Sequence, residues 1–428
     1  MHRPTFRKLT AVLLLLGCFG FAADKPADLY YGKNLKQFYS EAGAAFQRQD
    51  FPTAISRLKR ALEIAPGHGP TMWEMAQIYA ASGDKANALA MLERVAELKL
   101  GYDPRGHQLF TKLRDDADFK HVAARFDAST GAVHQATPAF TMPERDLIAE
   151  GIAYDPETKA LFVSSIFKHK IVAVDAQGRT RDFKQSGEDG LLQVLGMKVD
   201  ARRRLLWAAS YANEHDKENA GRAAVHKYDL RTGKLIKKYE LQPKPAHLLN
   251  DVAFTRAGDL YVTDSQTGGV YVIRHDRDEL EQFLPADTFA YPNGIAISAD
   301  ESKLYVASWG PGVSIVNLKT KGISQLAQPS NVTASDIDGL YLYKNSLIGV
   351  QNGLGNDRAA RFYLNASGDA IVSAEVLESR NPLFDIPTTG SIVGDDFYLL
   401  ANAQLSKLNK GEIAAPTNET KILRIRLK

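Results

Sequence analysis

The chain has 428 residues, 44% of them hydrophobic and 24% charged, too long for one small core and suited to two or three domains. Its formal charge of +3 comes from Arg3, Arg7 and Lys8 in a start that holds no acid; beyond them basic and acidic residues balance. A balanced chain has no electrostatic footprint for nucleic acid.

Those first residues read as a targeting segment. A cationic start, the apolar run from Leu9 to Ala22 and the small residues Gly20 and Ala22 fit a secretory signal peptide over residues 1–22. The expectation is export to the periplasm or the extracellular space. Leu15, Leu16, Gly17 and Cys18 faintly resemble a bacterial lipobox, so a lipid anchor at Cys18 is the alternative to a free protein. No later run approaches the 18 or so apolar residues of a membrane span. Cys18 is the chain's only cysteine, which removes disulfides, zinc thiolate sites and cysteine nucleophiles from the folded part.

Residues 30–126 read as a small all-α domain. Asp50 returns as Asp84, Ala54 as Ala88, Leu58 as Leu92 and Ala61 as Val95, a period of 34 residues that resembles tetratricopeptide repeats. Two repeats are few for such an array, and the amphipathic stretch from His107 to Phe126 (Leu109, Leu113, Phe119, Val122, Phe126) is expected to cap them. A groove for a protein partner and a plain packing module are both open readings. Residues 127–145, rich in Ser, Thr, Gly and Pro, read as a linker.

From residue 146 to 428 one pattern recurs six times. A strand start at Glu150, Leu195, Asn250, Asn293, Asp338 or Thr389 precedes a second strand, such as LFVSS from Leu161, LYVTD from Leu260 or LYVAS from Leu304. Repeated β units of this length, with no helical period between them, predict a six-bladed β-propeller. The closing strand ILRIRLK is expected to share its blade with residues near Phe140. At one phase of four repeats stand Glu150, Asn250, Asn293 and Asp338. Blades around an axis bring such residues to one point, and two carboxylates with two amides there make a hard-cation cage.

EGIAYDPE at Glu150, LNDVAF at Asn250, PNGIAIS at Asn293 and DIDGLYL at Asp338 resemble the calcium-site signatures of the senescence marker protein/gluconolactonase family, which is related to paraoxonases. The resemblance implies a six-bladed propeller that binds Ca²⁺ through these four residues. It also implies hydrolysis of a lactone or related ester, with Asp338 as base or nucleophile. A binding or scaffold propeller in which calcium only holds the blades together is the alternative.

Asp264, the only acid at its place in the second strands, is a candidate second base or orienting group. His247 is a candidate proton shuttle, as histidines are in paraoxonases. Trp309, Gln351, Asn352 and Tyr211 stand near the same ends of their strands and are expected to line the pocket. Sugar-lactone hydrolases of the family commonly carry arginine two residues before the first metal-binding asparagine, where this chain has Leu248. Without that donor fork a polyol substrate is in doubt and a more apolar lactone or ester fits better. A quinone-dependent sugar dehydrogenase ranks lower, because the repeats lack the tryptophan-rich docking pattern of larger quinoprotein propellers.

Overall fold

The computed structural model describes residues 31–129 and 131–428. The stretch expected as a signal peptide, with Cys18, lies outside them. Among the described residues no helix is long and apolar enough to cross a membrane.

Four helices form the predicted repeats: α1 (Tyr31–Gln47), α2 (Phe51–Ile64), α3 (Gly69–Ser82) and α4 (Lys85–Leu98). The 34-residue period has a structural cause at the start and along the buried face of α2 and α4. Asp50 and Asp84 are their N-caps, accepting from the amides of Thr53 at 3.2 Å and Asn87 at 3.1 Å. Ala54, Leu58 and Ala61, with Ala88, Leu92 and Val95, are buried where the helices pair. A 3₁₀ turn (Gln108–Leu113) and α5 (Ala117–Ala124) close the array, burying Phe110, Phe119, Val122 and Phe126.

Six antiparallel sheets follow as blades, their inner strands being Ala149–Asp155, Gln193–Asp200, Leu249–Phe254, Pro292–Ile297, Ile337–Tyr343 and Gly390–Val393. The stretch expected as a linker contributes strands. Val133–His134 adds a fifth strand to blade 5, and Ala136–Met142 is the outer strand of blade 6, with Phe140 opposite Ile422. The first and last parts of the propeller therefore close the ring in one sheet, an arrangement that removes a free edge. Each junction between neighbouring blades has its own apolar cluster. Phe162, Met197 and Tyr228 join blades 1 and 2; Leu400, Ile422 and Val163 join blades 6 and 1.

In blades 1 to 5 the inner strand carries a register shift at the ring position. In blade 1 Ala149 pairs with Ser165 but Ile152 with Val163, so one residue too many is held between them. The same shift falls at Val194/Met197, Leu249/Val252, Pro292/Ile295 and Ile337/Leu340. Each bulge is where the strand passes the axis, and glycine commonly follows. A Cβ on Gly151 would meet the Leu195 carbonyl oxygen at 2.1 Å, and one on Gly294 would meet the Asp338 carbonyl oxygen at 2.5 Å.

The helical module is docked on the propeller face where the inner strands begin. Tyr39 packs against Trp309, ring centres 4.7 Å apart and planes tilted by 59°, where the chain leaves the second strand of blade 4. His68 reaches Asp336 at 3.1 Å, while its other ring nitrogen meets Tyr39 and Thr71. Arg380 donates to the Gly101 carbonyl at 2.9 Å and the Asn356 amide to that of Leu100 at 3.1 Å. Burial pushes the carboxyl of Glu74, inside this interface, up to about 7, against the opposing influence of His68. One face of the repeats is thus occupied within the chain.

Two outcomes are expected from these contacts. Gly294→Ala should cost about 1–3 kcal/mol in urea unfolding, because the new methyl has backbone on both sides and no flexible neighbour to displace. Trp309→Ala should cost about 2 kcal/mol and speed limited proteolysis between the helical module and the propeller.

Candidate metal and active site on the propeller axis

Glu150, Asn250, Asn293 and Asp338 all occupy the extra residue of their bulges. A bulge re-aims the side chain it carries, and here it does so at the same height in four blades. Hydroxyls of the second strands lock two of these bulges. Ser164 accepts from the Gly151 amide at 2.7 Å and donates to the Leu195 carbonyl at 2.9 Å. Thr263 accepts from the Asp251 amide at 3.1 Å and donates to the Asn293 carbonyl at 2.8 Å. Ring residues of adjacent blades are therefore tied through one hydroxyl each.

The side chains are unequally satisfied. Asn250 donates to the Ser265 hydroxyl at 2.9 Å, which fixes its amide and leaves its oxygen free to coordinate. Asn352 donates to Asp338 Oδ2 at 2.7 Å and to the Pro387 carbonyl at 2.9 Å, which fixes the orientation of that carboxylate. Glu150 Oε2 and Asn293 Oδ1 are buried without a hydrogen-bond partner. Burial drives the Glu150 carboxyl well above its usual range, and repulsion from Asp338 and Asp251 adds to the effect. Asp338 is raised too, by burial first, with the Asn352 and Asn293 amides opposing. Two carboxylates in one dry place repel each other, and a divalent cation would remove the penalty.

Orphaned oxygens, two acidic groups and amide donors without nitrogen or sulfur ligands fit calcium. Among the described residues no group of three or more His, Cys, Asp and Glu side chains is placed to hold a metal. The fit thus depends on the asparagine oxygens as much as on the acids.

Three further residues at the axis went unseen in the sequence. Asp251 stands where four other blades have glycine after the bulge and a fifth has it after Thr389, and its carboxylate is 3.5 Å from Lys198. Lys198 lies 4.6 Å from the centre of the Tyr341 ring. Its charge lowers the Glu150 pKa while Asp251 raises it. The break in the run Glu-Gly, Leu-Gly, Asn-Asp, Asn-Gly, Asp-Gly, Thr-Gly was the available signal. Tyr291, beside Asn293, is pushed up to about 12 by burial and by the Asp338 and Glu150 charges.

Other expected pocket residues are redistributed. Gln351 is buried away from any pocket, donating to the Thr333 and Ser335 carbonyls and accepting from Arg358 at 2.7 Å. Trp309 is spent on the helical module. Asn352 positions Asp338, and half-buried Tyr211 lies close enough to Glu150 for that charge to help raise its phenol. Asp264 is fully buried and accepts from His247 Nδ1 at 2.6 Å, the Leu248 amide at 3.0 Å and the Thr267 hydroxyl at 2.7 Å. Its lone pairs are committed, so it orients His247 instead of standing as a free base. From α1, Lys36 lies 5.9 Å from the centre of the Tyr291 ring; burial lowers its pKa while Asp287 and Asp264 pull it up.

Residues 148–342 match the model of the SMP-30/Gluconolactonase/LRE-like region. Over that stretch the propeller is similar to this family. Residues 45–113 match a tetratricopeptide repeat. Solved structures similar to the chain include a gluconolactonase from Xanthomonas campestris, 14% identical, covering 69% of this chain and 99% of that one at a TM-score of 0.46. A calcium-binding regucalcin from Agrobacterium tumefaciens is 14% identical over 70% of this chain and 97% of that one, TM-score 0.48. The PQQ-bound aldose sugar dehydrogenase of Streptomyces coelicolor is 16% identical over 69% and 99%, TM-score 0.46. No curated protein matches the sequence significantly. Two surface clefts, of about 230 and 420 Å³, lie at Arg424 and at Phe384, and no axial residue lines either.

Calcium added to about 100 times its dissociation constant should stabilise the protein by about 2.7 kcal/mol, read as a rise in unfolding temperature. Glu150→Gln should weaken that response and Asp338→Asn should weaken it similarly, whereas Asp264→Asn should leave it nearly intact.

Proposed function

We propose that the chain is an exported, calcium-dependent hydrolase of a lactone or related ester. The observation that carries this reading is the pair of buried, unpartnered oxygens, Glu150 Oε2 and Asn293 Oδ1, at the ring position that also holds Asp338. Glu150, Asn250, Asn293 and Asp338 would hold the ion, and bound calcium would supply Lewis-acid polarisation of the ester carbonyl.

The protein's own side chains do the rest. Asp338, oriented through Oδ2 by Asn352, would take the proton of an attacking water. Water oxygen bonds to the carbonyl carbon, the carbon–oxygen bond to the alkoxide breaks, and the proton passes to that leaving oxygen. Direct attack by Asp338, followed by hydrolysis of the acyl-enzyme, is the other route the same position allows. His247 has its Nδ1–H held on Asp264, which fixes the tautomer and leaves Nε2 to carry protons to and from solvent. Tyr211 and Tyr291 lie close enough to the carboxylates for their charges to raise both phenols.

The test is turnover of a broad lactone and ester panel by the full-length mature protein, with calcium and with chelator. Chelation should abolish activity, and Asp338→Asn should lower kcat by about 100-fold or more. Calcium-independent turnover, or an Asp338→Asn enzyme as active as wild type, would overturn the reading. Calcium binding with no hydrolysis across the panel would assign the axis to holding the blades together.

A further inference from the structure

We infer that the site takes a lactone or ester with an aliphatic chain, bound along an apolar wall on the side of the axis opposite the helical module. The inference rests on the hydrolase reading above and names its substrate class. The wall begins at the ring itself: Leu195 occupies the blade 2 ring position, and its carbonyl oxygen is tied by Ser164 to the bulge that carries Glu150.

Leu195 packs with Ile148 and Ile166, all three buried, and Phe167, Leu248 and Leu408 lie partly exposed against them. Ile148 is two residues before Glu150, and Leu248 is two before Asn250. Tyr211 belongs to the same cluster while also lying in the field of Glu150, so the wall and the carboxylates share a neighbour. The outer part comes from a short hairpin of blade 6, Leu408–Asn409 paired with Glu412–Ile413, whose tip lies beside blade 2: a Cβ on Gly411 would meet His215 Cβ at 3.4 Å. An insertion that contributes Leu405, Leu408 and Ile413 to a cluster beside the axis adds apolar surface where a polyol would need donors.

Two polar groups beside the wall are already engaged. The Leu248 amide is bonded to Asp264, and the Ser165 hydroxyl to the Leu147 carbonyl. A hydrocarbon chain asks only for burial, and each methylene moved from water onto such a wall strengthens binding about two- to fourfold.

δ-Lactones bearing alkyl side chains of increasing length test this, alongside calorimetric binding of the matching linear alkyl carboxylates to the calcium-loaded protein. Both kcat/KM and affinity should climb about two- to fourfold per methylene over the first several carbons. Leu248→Asn and Phe167→Ser, each checked for an unchanged unfolding temperature, should flatten that slope. Calcium-dependent turnover with no chain-length dependence, or with sugar lactones preferred, would overturn the wall and leave the hydrolase reading standing. A steep binding slope without turnover would keep the wall and remove hydrolysis. Slopes unaltered in both variants would also overturn the wall.

Discussion

Six strands have to pass one axis within backbone contact of one another, and most of this molecule follows from how that crowding is relieved. In five blades the strand bulges as it passes, and four of those bulges are followed by glycine because a Cβ would strike the neighbouring blade's backbone. The extra residue has nowhere to go but inward. Where it is Glu, Asn or Asp, the geometry that solves a packing problem also gathers oxygen atoms. Closure of the ring by Ala136–Met142 makes the arrangement rigid, since no blade can tilt without opening the sheet shared by the first and last strands of the propeller.

The polar economy of the axis is what sets it apart from a packed core. Buried polar groups are normally paired, yet Glu150 Oε2 and Asn293 Oδ1 are not, and two acids lie where neither can ionise freely. Asp251 and Lys198 extend the charged column along the axis. Such an assembly costs stability unless something positive completes it. Asn352, Ser265 and the Asp264–His247 pair spend their hydrogen bonds on orienting neighbouring groups, which is the arrangement expected where geometry matters more than stability.

The helical repeats have a structural role alongside any partner they bind. Tyr39, His68 and the α4 end are joined to blades 4 and 5 on the face that carries the axis, with Lys36 reaching toward Tyr291. The blade 6 hairpin lies toward blades 1 and 2. Between them they frame the axial residues, one with polar and aromatic groups and the other with aliphatic ones.

Local chemistry was legible in the text of the chain. Asp50 and Asp84 announce helix starts, the 34-residue period announces paired helices, and strand motifs at matching phase announce blades, because caps, helix contacts and bulges each demand particular residues at particular offsets. Phe140 was paired correctly with the closing strand for the same reason of pattern. Yet the Ser- and Gly-containing stretch around it read as linker, since an outer strand needs only partners and not a strong signal of its own. Trp309 and Gln351 stood at the right strand ends and were still assigned wrongly. Whether a side chain at that height faces a cavity, a buried arginine or a docked helix depends on what arrives from elsewhere in the chain. Glu150, Asn250, Asn293 and Asp338 share one phase by sequence alone, but only the closed ring, with helices on one side and a hairpin on the other, decides which of their oxygens are left without a partner.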